Sequence, residues 1–127
     1  MQPVDPVLDS RHVEPAGPCE VAARVGTISA CFGAPTVAGI LCRLEAVEGP
    51  DVAWARATAA ELRTRSPLSL ALTLAFIRRA KAMDLKETLE TDYRLACRCL
   101  DGHDFREGVW AALVDKDNAP RWQPPRI

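Results

Sequence analysis

The stretch SPLSLALTLAFIRRAKAM, residues 66–83, decides how the rest of the chain is read. Ser66 followed by Pro67 is a helix start: the hydroxyl accepts from an exposed amide of the first turn, while proline brings a preset φ and lacks an amide that would have stayed unpaired. Leu68, Leu70, Ala71, Leu72, Leu74, Ala75, Phe76 and Ile77 then surround the axis. The first half of a helix running to about Met83 is therefore expected to be buried on most sides. Arg78, Arg79 and Lys81 fall in its last turns, where the helix dipole and solvent both favour positive charge. The apolar run from Leu68 to Ile77 contains Ser69 and Thr73 and is far shorter than the roughly 20 residues a membrane span needs.

Working outward, Asp84 with Glu87 makes a capping-box start, and Leu85, Leu89, Tyr93, Ala96 and Leu100 follow at helical steps until Gly102, which offers a left-handed stop. A final helix carries Phe105, Val109, Ala112 and Leu113 on one face. After Val114 the string DKDNAPRWQPPRI is polar and broken by proline, which predicts an ordered turn and an extended tail.

Upstream, Val21, Val25, Ile28 and Phe32 predict one helix over 21–32. Thr36 caps a second, with Val37, Ile40, Leu41 and Leu44 facing inward, that ends before Gly49 and Pro50. Asp51 is expected to cap a third, in which Trp54, Ala55, Thr58, Ala59 and Leu62 form the apolar stripe. Residues 1–20 hold Pro3, Pro6, Pro15 and Pro18 and read as an irregular lead. No stretch alternates in the strand period and no segment repeats. The fold class that follows is all-α: five or six amphipathic helices with an irregular N-terminal lead and an extended C-terminal tail.

The 127 residues are 48% apolar and 26% charged, which suits one modest core. An isolated globule of this size would expose ~6,700 Å². Sixteen Lys and Arg against 17 Asp and Glu give a net charge of −1, too little field for a nucleic-acid binder or an anionic membrane surface. Cys19, Cys31, Cys42, Cys97 and Cys99 are odd in number and read as thiols of a reducing compartment. The first residues carry Asp5, Asp9 and Glu14 against Arg11, which fits neither a secretory signal nor a transit peptide.

Chemistry-bearing patterns are sparse. Nucleophilic catalysis would need His12 or His103 beside an activated Ser or Cys, and no G-x-S-x-G elbow occurs. His103 reads as a junction histidine with Asp104 or Tyr93 within reach. Cys97 and Cys99 point roughly 200° apart on a helix, so with His103 they do not make a zinc site, and no metal ligand set is expected. The glycines are scattered, without a phosphate-cradling loop, and no cofactor is implied. Glu107, before Gly108, reads as a helix-face carboxylate. Trp122, flanked by Pro120 and Pro124, is a large indole in an extended segment and is expected to dock, in this chain or in a partner. No catalytic residue is nominated.

Three strings nevertheless carry a likeness: CFGAPTVAGILCRLE (31–45), SPLSLALTLAFIRRA (66–80) and DYRLACRCLDGHDFREGVWAALVDKDNAPRWQP (92–124). Together they resemble the C-terminal helical region of 3-hydroxyisobutyryl-CoA hydrolases of the crotonase (enoyl-CoA hydratase/isomerase) superfamily. Leu68, Asp92 and Trp110 depart from the usual Thr, Glu and Arg of that pattern. The resemblance divides the chain into a lead (1–20), the helical region (21–124) and a tail (125–127). It implies acyl-CoA thioester hydrolysis in valine breakdown, by an oxyanion hole of two backbone amides and acidic side chains that belong to an N-terminal core.

Neither a Gly-rich oxyanion segment nor a P-E-T-like carboxylate loop is present to receive those roles. The chain is thus expected to be inactive alone and to expose apolar surface, above all on the Leu-rich helix, where a crotonase core or a second copy would pack. By the same likeness Lys116 and Trp122 are the CoA-contact residues. The compartment implied is the cytoplasm for a bacterial source and the mitochondrial matrix for a eukaryotic one. The alternative reading is a non-enzymatic helical module docking on a complete homologue.

Overall fold

The computed structural model describes Gly17 and residues 19–126. The expected lead at 1–20 lies outside the described residues apart from Gly17, Cys19 and Glu20. Among those described, seven α-helices and no strand are found. They are α1 (Glu20–Ala23), α2 (Val25–Phe32), α3 (Val37–Glu45), α4 (Val52–Thr64), α5 (Pro67–Ala80), α6 (Leu85–Asp101) and α7 (His103–Val109). A 3₁₀ turn (Gly49–Asp51) leads into α4, and a π turn (Trp110–Val114) continues α7.

The core is built by α2, α3 and α4. Thr36 caps α3 by accepting from the Gly39 amide at 3.1 Å, which aims Val37, Ile40, Leu41 and Leu44 inward, and Leu44 is wholly buried. Cys31, Ala34, Ala55 and Ala59 complete the cluster, with Val47, Trp54, Leu62 and Leu74 packed around it. Alanine at 55 and 59 lets α4 approach α3 closely. Gly49 makes the turn between them at φ 84°, a left-handed conformation that a side chain would strain.

Three helix starts form as their sequences dictate. Besides Thr36, Ser66 accepts from the Ser69 amide at 3.0 Å, and Asp84 and Glu87 form a reciprocal capping box. Five expectations are corrected. Residues 21–32 are two helices, broken at Arg24 (φ −110°, ψ 11°), whose side chain bonds the Glu20 carbonyl and reaches Asp51 at 3.4 Å. The face presented to the core carries Cys31, while Val21 and Val25 remain exposed. Asp51 does not cap α4, because it belongs to the 3₁₀ turn and its carboxylate accepts from the Thr27 hydroxyl at 2.6 Å. Gly102 is extended (φ −77°, ψ 159°) rather than left-handed, since it closes α6 and opens α7 at once.

The fourth correction concerns α5. Only Pro67 of this helix is buried; Leu68 and Ile77 are more than half exposed, and Leu70, Leu72, Leu74 and Phe76 are half-buried. Nothing among the described residues covers the outer face of the helix. The same holds for α6, where Leu85 is 76% and Tyr93 72% exposed, and for Phe105 and Leu113 beyond it. In the last segment the π turn, closed by the Asp115 amide on the Trp110 carbonyl, shifts the phase so that Ala111 turns inward instead. No helix among the described residues is long and apolar enough to cross a membrane.

Candidate functional site

The densest polar arrangement joins the start of α5, the start of α7 and the tail. Asp104 and Ser66 are both buried, 8% and 6% exposed. The Ser66 hydroxyl donates to Asp104 Oδ2 while accepting from the Ser69 amide, so one side chain caps α5 and ties it to α7. Asp104 Oδ1 accepts from the Gln123 amide at 2.8 Å and lies 3.1 Å from His103 Nδ1. Burial pushes the Asp104 pKa up, but the hydrogen bonds from Ser66, Gln123 and His103, with the charge available on His103, outweigh it and hold the carboxyl below its ordinary range.

Ser, His and Asp are thus in contact, yet their order is wrong for nucleophilic catalysis. The carboxylate sits between the other two, and the serine donates to it rather than to the imidazole. This node is a clamp. It was partly legible as the pairing of His103 with Asp104; the role of Ser66 beyond capping, and the tail contact, were not.

Beside the node the tail forms a strap. Trp122 docks within this chain, its Nε1 donating to the Thr64 carbonyl at 2.9 Å and its ring lying on Gly108, where an added Cβ would come within 3.1 Å of the indole. Glu107 does more than face solvent: its Oε1 accepts from the Arg121 amide at 2.7 Å. Lys116 is exposed at φ 56°, with no hydrogen-bond or ion-pair partner among the described residues. Lys116 and Trp122 both lie on the strap after the π turn.

On the other side of Asp104, an open apolar groove of about 260 Å³ runs between α5, α6 and α7, lined by Leu68, Leu72, Leu95, Cys99 and Phe105 with Arg98 at its edge. The five cysteines are free thiols; Cys31 is buried, Cys97 and Cys99 are half-buried, and Cys19 and Cys42 are exposed. Among the described residues, no three His, Cys, Asp or Glu side chains are grouped to hold a metal.

The sequence pattern described as Enoyl-CoA hydratase/isomerase matches residues 2–127. The chain belongs to the enoyl-CoA hydratase/isomerase family. It is similar to the mitochondrial 3-hydroxyisobutyryl-CoA hydrolase of Rattus norvegicus (40% identity, 76% of this chain, 24% of that protein). It is also similar to those of Danio rerio (35%, 99% and 32%) and Homo sapiens (38%, 76% and 24%). The chain therefore spans about a quarter to a third of the length of these relatives.

Proposed function

We propose that the chain forms the C-terminal helical part of a 3-hydroxyisobutyryl-CoA hydrolase. In that role it closes over an acyl-CoA site whose bond-breaking groups lie on polypeptide outside these 127 residues. The observation that carries this reading is the uncovered apolar layer of α5–α7 beside a core whose buried cluster, Cys31 to Ala59, is supplied by α2–α4. A free-standing enzyme of this size would bury those leucines around its own cleft. The shares of the relatives' length that the chain matches, 24% to 32%, leave ample polypeptide to cover them. Lys116 and Trp122 supply the CoA contact from the strap, and thioester hydrolysis by the chain alone is not expected.

The test is a hybrid in which this chain replaces the matching segment of the Rattus norvegicus hydrolase, assayed by thiol release from 3-hydroxyisobutyryl-CoA. The hybrid is expected to turn over substrate, whereas the hydrolase lacking the segment and the chain by itself are not. A folded but inactive hybrid, or hydrolysis by the chain alone, overturns the proposal. The buried α2–α4 core also suits the second reading, a module that docks on a complete homologue. That reading predicts that added chain changes the rate of the intact hydrolase.

A further inference from the structure

Asp104 is a buried carboxylate with no part in the hydrolysis proposed above, and it has a companion. Glu107 lies one turn further along α7, and positions three apart share a helix face. Opposite them, the amides of Arg121 and Gln123 are two residues apart on the strap, and in an extended chain alternate amides point the same way. The two spacings meet: Asp104 Oδ1 takes the Gln123 amide at 2.8 Å, and Glu107 Oε1 takes the Arg121 amide at 2.7 Å. The shorter aspartate serves the inner amide beside Ser66 and the longer glutamate the outer one. Between them, Trp122 is held by its indole on Thr64 and Gly108. Charge-assisted bonds of this kind are stronger than neutral ones, so backbone amides that any sequence could offer become firmly seated.

We infer that Asp104 and Glu107 form a two-carboxylate latch that seats residues 121–123 as one unit, and that through the strap they are positioning residues for the acyl-CoA contact of Lys116 and Trp122. The second half of this statement rests on the function proposed above; the first does not. Glu107 is the informative position, because it is remote from the Ser66 cap and its removal leaves the start of α5 intact.

Amide hydrogen exchange, read by NMR on the full chain, tests the latch. Glu107→Ala is expected to speed exchange at Arg121 and Gln123 together, by about ten-fold, and to leave the α3 amides unchanged. Faster exchange at Arg121 alone, or at neither amide, overturns the latch. In the hybrid hydrolase, Glu107→Ala is expected to raise KM for 3-hydroxyisobutyryl-CoA about ten-fold with kcat kept, and Glu107→Gln, which retains the accepting oxygen, to restore KM to within about two-fold. A fall in kcat at constant KM, or no rescue by glutamine, overturns the positioning role. An inactive parent hybrid would sink the proposed function, and the exchange experiment would still decide the latch.

Discussion

α3 and α6 are both well-capped helices with a clean apolar stripe, and they end in opposite circumstances. On α3 the stripe Val37, Ile40, Leu41 and Leu44 is buried against α2 and α4. On α6 the stripe Leu85, Leu89, Tyr93 and Leu100 faces outward, each side chain more than half exposed. Periodicity records that a face is meant to be covered; it does not say which polypeptide covers it. The contrast divides the chain into a part that stabilises itself and a layer whose stabilisation is deferred.

The largest expected effect breaks this contrast directly. Leu44→Ala should cost about 2–5 kcal/mol in urea denaturation of the chain, while Leu89→Ala should change it by less than about 0.5 kcal/mol. In the hybrid hydrolase Leu89→Ala should become costly as well, and equal, small losses for Leu89→Ala in both settings would mean that nothing covers α6.

Next in size is Asp104, which ties the start of α5 and the tail to α7. Asp104→Ala removes the hydrogen bonds to the α5 cap and the tail, with the contact to His103 in its own helix, and should cost about 1.5–3 kcal/mol by the same measurement. Acid should act in the same direction. The folded carboxyl titrates below its ordinary value, so its contribution is present above the unfolded pKa and is lost as pH falls through the folded one. Strap amides followed during an acid titration should therefore lose protection below about pH 4, before the α3 amides do. Simultaneous loss in both would show that the strap is not a separate unit.

The smallest effect concerns Lys116, which holds a left-handed conformation without glycine's freedom. Lys116→Gly should relieve that strain and raise stability by up to about 1 kcal/mol, read as a higher melting temperature. In the hybrid it should at the same time weaken CoA binding if the ammonium is the contact. Unchanged KM would remove Lys116 from the site.

How much was legible follows from the range of each interaction. The caps at Thr36, Ser66 and Asp84 are bonds over three residues, and the sequence announces them. The core stripe of α3 was legible for the same reason. The break at Arg24 and the loss of the Asp51 cap depend on bonds between α1, α2 and the 3₁₀ turn, and the neighbouring letters do not reveal them. At the candidate site, Trp122 was expected to dock, but its acceptor is 58 residues away, and Ser66 meets Asp104 across 38. Glu107 looked like a surface carboxylate because its partner is a backbone amide, which carries no sequence signature.

Arg78 lies near the end of α5, and its guanidinium donates to the carbonyls of both Ala34 and Pro35 at the corner between α2 and α3. Cutting the chain at Arg65 to isolate the inner helices would strip two oxygens at that corner of their donors. The excised piece would surrender a brace along with its outer layer, so a deletion experiment there would understate how firm the inner helices are when whole.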